Sequence, residues 1–331
     1  MEIASEMTSP IAFFAFNRPY HTIETLNSLC NNQEISQTDF YAFIDGPRKT
    51  SEIQLIDNVE KIIRSFESKF KSLTICRSEI NLSGAINQKR GITKVLSENE
   101  SVISIEDDIY VSNHFLAYMN SALELYKNSK EVWHINGFNY PVRIEGQFEC
   151  FFMRSMQCWG WATWKDRWKN FIHEPLSCDP YYLKATFTKK MIHEFDLNVR
   201  KSMFLSQVKD NASGKLNNTW DIFWYSFIFL NRGLCLTPKV SMTRNIGHDG
   251  SGVHSTLDKE YISSQLNQEK ITNFPDLIQE NFYCLSEIRN YLNKKNRLFT
   301  RLLKKAALIR DQVSWLRRIQ VIIEAAREKC R

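Results

Sequence analysis

No stretch of this 331-residue chain approaches the roughly 20 consecutive apolar positions that a bilayer-spanning helix needs, so no transmembrane helix is expected. The chain opens on polar residues, without the basic start and apolar segment of an export signal, and a cytoplasmic location is expected. The eight cysteines include no Cys-x-x-Cys pair and no Cys/His ligand spacing, which argues against structural zinc. Several of them lie in apolar runs, as reduced core residues do. There is no internal repeat, no low-complexity segment, and no helix-turn-helix or RNA-recognition pattern, so nucleic acid is not an expected partner. Glycine is scarce, with 11 in all. None follows the first apolar run, where Asn17-Arg18-Pro19-Tyr20 lacks the Gly-rich, Lys/Arg-bearing loop of a nucleotidyltransferase.

What is present is an ordinary globular composition, 43% hydrophobic and 24% charged, enriched in aromatics at 13%. The net charge of +6 is uneven. Residues 294–331 carry twelve Lys/Arg against Asp311, Glu324 and Glu328, a local +9 on a slightly acidic body. Within them Leu298, Leu302, Ala306, Ile309, Val313, Leu316 and Ile323 recur at helical spacing. A basic amphipathic helix of this kind suits an anionic membrane surface, and equally suits docking on the protein's own core or on a partner subunit.

The first half repeats one grammar. Apolar runs at 10–16, 40–44, 73–76 and 102–105 read as strands, and each is followed by residues at helical spacing. A further helix is expected around Phe115 to Tyr126 and a strand at 132–135. Alternating strands and helices imply a mainly parallel sheet covered on both faces. Beyond residue 139 the grammar changes. A hairpin turning at Glu145-Gly146 is expected over 140–154, a short aromatic helix over 159–168, then a polar stretch, a helix from Thr219 to Leu230 and a strand at 234–237. The boundaries divide the chain into 1–139, 140–293 and the tail 294–331.

Chemistry concentrates at strand ends. Glu106-Asp107-Asp108 follows the apolar run Ser101-Val-Ile-Ser-Ile105, which places carboxylates where ligands of open α/β sheets collect. Mg²⁺ and Mn²⁺ take oxygen donors, typically one or two carboxylates plus substrate phosphates. The triplet also fits an acidic cap on the next helix. Asn17 and Arg18 close the first strand, where they suit a nucleotide base or phosphate and also a plain turn. Asp45 closes the second strand, where its carboxylate suits a uracil N3–H or the turn into Gly46-Pro47. Asn87 and Arg90 begin the helix before the acidic strand, facing phosphate or water. Trp220-Asp221 opens an apolar helix, and Asp221 fits both a helix cap and a general base. Trp159, within Cys158-Trp-Gly-Trp161, suits the apolar face of a sugar ring or a packed core. Gly247, Gly250 and Gly252 mark a loop that also carries His248, Asp249 and His254. That loop suits a lid, a phosphate clamp or a metal ligand.

In this order, from Ile11 to His254, these segments resemble the GT-A-fold, nucleotide-sugar-dependent glycosyltransferases. More narrowly, they resemble the alpha-mannoside beta-1,2-N-acetylglucosaminyltransferase I family and its bacterial relatives. The resemblance implies a Rossmann-like, mixed but mainly parallel sheet. It implies that Arg18 and Asp45 bind the uridine part of a donor, that Glu106 and Asp107 support its ribose and sugar, and that Asp108 holds Mn²⁺ or Mg²⁺; from their own placement Asn17, Asn87, Arg90, Trp159 and Trp220 are expected at the nucleotide-sugar site and His254 at the metal. Gly247, His248, Asp249, Gly250 and Gly252 would form a lid. Asp221 would be the base of an inverting transfer to a glycan or glycolipid hydroxyl in cell-envelope polysaccharide synthesis, with the tail at the inner membrane face. A sugar nucleotidyltransferase and a non-catalytic glycan-binding protein are the alternatives.

Overall fold

A computed structural model describes residues 8–173, 179–199, 203–212, 220–250 and 258–297. Strands β1 (Ile11–Ala15), β2 (Asp39–Ile44), β3 (Ser72–Arg77) and β4 (Ser101–Glu106) alternate with helices α1 (Pro19–Cys30), α2 (Ile53–Ser65) and α3 (Gly84–Glu98). There follow β5 (Ile109–Val111), α4 (Phe115–Tyr126), β6 (Val132–Asn136), β7 (Cys150–Met153), β8 (Trp161–Trp164) and α5 (Lys165–His173). Short helices α6 (Pro180–Thr186), α7 (Lys189–Phe195) and α8 (Met203–Ala212) precede α9 (Asp221–Leu230), β9 (Leu234–Pro238), β10 (Thr243–Asn245) and α10 (Lys259–Ile262). Residues 282–297 form a last helix, α11.

One eight-stranded sheet runs in the order β3-β2-β1-β4-β8-β6-β9-β7. β1 pairs in parallel with β2 and β4, and β2 with β3; β8 is antiparallel to both β4 and β6. β9 is parallel to β6, and β7 closes the sheet antiparallel to β9. β1, β2, β3, β4, β6 and β9 therefore all end at one edge of the sheet. At that edge the chain order reverses: β1 to β3 build outward in one direction, and β4 returns to the other side of β1. Such a switch point opens a crevice between the two strand ends. β8 runs the other way, so its start, Trp161, faces the same edge. Only Asn231, Arg232 and Gly233 separate α9 from β9, so α9 runs back along the sheet and its N-terminus, Asp221, also comes to that edge.

The strand pleat sorts the core. Ile11, Phe13 and Ala15 of β1 pack with Leu26 and Leu29 of α1 and with Ile56 and Val59 of α2 on one face. Ala12 and Phe14 face Ile92 and Val95 of α3, Trp168 of α5 and Trp224 of α9 on the other. A third cluster joins Phe151 and Met153 of β7 to Leu285 and Ile288 of α11. Among the described residues no helix is long and apolar enough to cross a membrane.

The mixed, mainly parallel sheet flanked by helices agrees with the sequence reading. Beyond residue 139 three local expectations are corrected. Trp161-Ala-Thr-Trp164 is a strand, because aromatic and β-branched side chains pack well on a pleated surface, and the helix starts only at Lys165. The hairpin over 140–154 is replaced by the single strand β7, whose partner β9 is distant in sequence. The polar stretch holds three short helices, of which α6 and α7 are capped by the side chains of Asp179 and Thr188.

The core also fixes one titratable group. The indole N–H of Trp224 donates to His134 Nδ1 at 3.2 Å, and His134 Nε2 lies 3.1 Å from the carbonyl oxygen of Gln157. An indole only donates, so His134 carries its proton on Nε2, donates it to Gln157, and is neutral. Burial pushes its pKa down to about 3. An unfolded chain takes up this proton near pH 6.5 while the native state does not, so stability falls as pH drops below that point, by up to about 1.4 kcal/mol per pH unit. Replacement His134→Phe strands the Trp224 donor and the Gln157 acceptor and is expected to cost about 2–4 kcal/mol. It should also flatten the loss of stability between about pH 6.5 and 5. Urea unfolding at several pH values reads both effects, and an unchanged acid slope would refute the assignment of this proton.

Candidate active site

Arg18, from the end of β1, and the acidic turn after β4 meet across the switch-point crevice. One guanidinium nitrogen of Arg18, Nη2, bonds Asp107 Oδ1 and lies 3.0 Å from Asp108 Oδ2. Asp107 is buried and also accepts the Phe16 amide at 3.3 Å. Thr25 of α1 donates to the Asp107 carbonyl oxygen at 2.8 Å, pinning the turn to the first helix. Burial works to lower the Arg18 pKa, but Asp107 and Asp108 overcome it and raise it. For Asp107, burial raises the pKa against the opposing pull of Arg18. Glu106, at the last position of β4, is pushed up to about 8 by burial and by Asp108 and Asp107. A compact site of three carboxylates and one cation is thus held at the sheet edge.

The glycine-bearing loop lies on top of it. β10 pairs with β5 directly after the acidic turn, and the Ile246 amide donates to the Asp108 carbonyl oxygen at 2.9 Å. Asn245 Oδ1 accepts the Gly247 amide at 2.8 Å. A Cβ at Gly247 would overlap Asp108 Oδ2 and come within 3.0 Å of Arg18 Nη1, so only glycine lets the backbone approach this ion pair. Farther along, His21 Nε2 of α1 lies 3.1 Å from Asp249 Oδ2. Gly247→Ala must displace the carboxylate or the guanidinium. We expect turnover to fall on the order of 10²-fold with the fold retained. Donor hydrolysis and thermal unfolding of the same sample check it, and near-normal turnover would show that the loop tolerates a methyl group there.

Asp221 approaches from the other half of the chain. Trp220 stacks on Trp161 with ring centroids 5.2 Å apart, which seats the N-terminus of α9 at the start of β8. Cys158 packs against the same cluster, and its thiol pKa is raised by burial and then by the charges of Asp221, Glu106 and Asp108. Asp221 and the acidic turn therefore share one edge of the sheet. Trp159 packs edge-on to His248 at 5.1 Å and to Tyr261 at 5.1 Å, forming an aromatic wall beside it.

The remaining sequence candidates are placed differently. Asp45 is buried and serves its own loop, accepting the Gly46 amide at 2.9 Å, the Leu82 amide at 2.8 Å and Asn81 Nδ2 at 3.1 Å. Burial raises its pKa and these donors oppose the rise. Asn17 donates to Glu52 Oε1 at 3.2 Å, and Asn87 to the Phe43 carbonyl at 3.4 Å. Arg90 is exposed on α3. Gly250 has a φ of +91°, a conformation that suits glycine. Gly252 and His254 lie outside the described residues, as does the tail from residue 298. Sequence reading missed Arg48, which bonds Glu52 Oε1 at 2.6 Å and lies over the Phe16 ring at 4.8 Å. It also missed Gln88, a buried hydrogen-bond partner of Glu106 one residue from Asn87.

Among the described residues no group of three or more His, Cys, Asp or Glu side chains is arranged to hold a metal. The donor chemistry at Asp108 does fit a hard cation bound by one partly exposed carboxylate and completed by a diphosphate, the manner in which Mg²⁺ usually binds.

No family model matches the chain, and no curated protein matches its sequence. Similar chain traces occur in S. aureus TarS, at 12% identity and a TM-score of 0.37 over 50% of this chain and 30% of that one. They occur in S. aureus TarS 1–349 in complex with UDP, at 16% identity and a TM-score of 0.32 over 43% and 38%. They occur also in the galactosyltransferase LgtC in complex with donor and acceptor sugar analogues, at 8% identity and a TM-score of 0.33 over 53% and 64%. The matched part is less than two thirds of each of those chains.

Proposed function

We propose that the chain is a metal-dependent, inverting glycosyltransferase that moves a sugar from a UDP-linked donor to a hydroxyl of a glycan or lipid-linked acceptor. One observation carries this reading: Arg18, Asp107 and Asp108 meet at the switch point, and the N-terminus of α9, which bears Asp221, comes to the same sheet edge. The resemblance of the segments from Ile11 to His254 to N-acetylglucosaminyltransferase I and its bacterial relatives supports it.

In this reading the donor diphosphate lies at the ends of β1 and β4, against Arg18 and the exposed backbone of the glycine loop. Asp108 would hold Mn²⁺ or Mg²⁺, and such a cation supplies charge neutralisation on the departing diphosphate. Asp221 accepts the acceptor's hydroxyl proton as its oxygen bonds to the anomeric carbon. The bond from that carbon to the phosphate oxygen breaks on the opposite face, its electron pair leaving with the diphosphate. The aromatic wall at Trp159 stacks the sugar and keeps water away.

The testing experiment incubates the protein with a panel of nucleotide sugars and Mn²⁺ and measures slow donor hydrolysis, which needs no known acceptor. UDP-sugar turnover that excess chelator abolishes is expected. Turnover of no donor would overturn the reading, and undiminished turnover in chelator would remove the metal from it. The tail is proposed as a peripheral membrane anchor, because each Lys or Arg near an anionic surface contributes about 1 kcal/mol. Removing residues 298–331 should release the protein from anionic vesicles while donor hydrolysis continues, and continued vesicle binding would assign attachment elsewhere.

A further inference from the structure

We propose that Lys295 is a positioning residue for the nucleotide site, holding residues 258–261 in place from α11 and thereby fixing Tyr261, His248 and Trp159 beside the carboxylates. The inference rests on the function proposed above, and nothing in the sequence signals it, since Lys295 lies at the start of a basic segment with many similar residues.

The geometry is specific. Lys295 Nζ lies 2.9 Å from Asp258 Oδ2 and 2.9 Å from Glu260 Oε2, two anions on one short segment. The same ammonium sits 3.7 Å from the centre of the Tyr261 ring, with Tyr291 at 5.9 Å. A single exposed ion pair positions little. An ammonium shared between two carboxylates and a ring face is held in three directions, and it fixes the ring plane as well as the backbone. Tyr261 also meets Trp159 at 5.1 Å, nearly perpendicular, and His248 at 5.3 Å. The Asp258 amide donates to the His248 carbonyl oxygen at 3.0 Å, next to Gly247 in the chain. Gly247 in turn packs on Asp108 and Arg18. Contacts thus run from Lys295 through Asp258, Tyr261, His248 and Gly247 to the acidic turn. Asp258, Glu260 and Tyr261 are the anchor points. Without the ammonium, the two carboxylates on one turn repel each other, and Tyr261 loses the charge that holds its face toward α11.

The test uses the full chain, with UDP and Mn²⁺ as probes in titration calorimetry and a UDP-sugar hydrolysis assay. Lys295→Met is expected to weaken UDP binding about tenfold and to raise KM more than it lowers kcat, while Lys295→Arg stays within about threefold of the wild type. In a Tyr261→Leu background, Lys295→Met should weaken UDP binding clearly less than it does in the wild type, because one of the two routes, the ring, is gone. Unchanged UDP affinity in Lys295→Met, or full additivity with Tyr261→Leu, would overturn the inference and leave Lys295 a stabilising surface residue. Should Lys295→Met not fold, the double variant Asp258→Asn, Glu260→Gln removes the anions instead. It is expected to weaken UDP to the same degree, and wild-type affinity there would equally overturn the proposal. If the wild-type protein binds no UDP at all, the proposed function fails first, and the inference falls with it.

Discussion

Asp221→Asn is expected to lower kcat for sugar transfer by about 10²–10⁴-fold, with UDP affinity changed no more than a few-fold. An acceptor hydroxyl is a weak nucleophile at neutral pH, and direct displacement requires its proton to be accepted as the new bond forms. Arg18, Asp107 and Asp108 are engaged with one another at the strand ends, so the proposed mechanism draws its base from a different part of the chain. In the proposed mechanism α9 supplies it: the helix turns back along β9, and the Trp220–Trp161 stack fixes where its first turn opens. Asparagine keeps the size and hydrogen bonding of the side chain and removes its basicity. Substrate binding should therefore survive while the chemical step fails. Transfer by Asp221→Asn near the wild-type rate would refute the role, as would a product whose anomeric configuration by NMR matches that of the donor.

The first half of the fold was legible because its central strands, β1 and β4, are buried on both faces and read as largely apolar runs, as in Ile11-Ala-Phe-Phe-Ala15. The acidic turn was legible for the same reason, since the run ahead of Glu106 fixes where the strand ends. Past residue 139 the pairing partners are far apart in sequence. β8 inserts between β4 and β6 and β7 finds β9, so no local period reveals them. The aromatic run at Trp161 misled because clustered tryptophans pack as well on a helix as on a strand, and only the neighbouring strands decide. The places of the candidate residues at strand ends were legible, but their partners were not. Asp45 and Asn17 occupy strand ends as expected, yet their side chains are engaged by Leu82 and Glu52. The closeness of Arg18 to Asp107, 89 positions away, follows from the switch point and from nothing local.

Arg18→Met is expected to destabilise the fold by about 3–5 kcal/mol in metal-free buffer, because removing one partner of a buried ion pair leaves the other charged in a poor solvent. Here one guanidinium serves two carboxylates, and the Asp107 side chain is only 4% exposed. Methionine fills much of the same volume, so the effect reports charge more than packing. Lysine keeps the charge but loses the planar fork, and Arg18→Lys should fall between the two. The pH dependence carries a definite sign. Burial already holds the Asp107 pKa above its ordinary value, and Glu106 titrates at about 8, so protonating either favours the native state as pH falls. Without Arg18 these carboxyls rise further. A group raised in the folded state adds stability at low pH and loses it as pH climbs through its folded pKa. The deficit of Arg18→Met relative to the wild type should therefore be largest near pH 8 and shrink steadily toward pH 5. Urea unfolding in excess chelator across that range measures it. A deficit that stays constant with pH would show that Arg18 stabilises by packing alone, and a variant as stable as the wild type would show that the carboxylates at this crevice do not need a cation to fold.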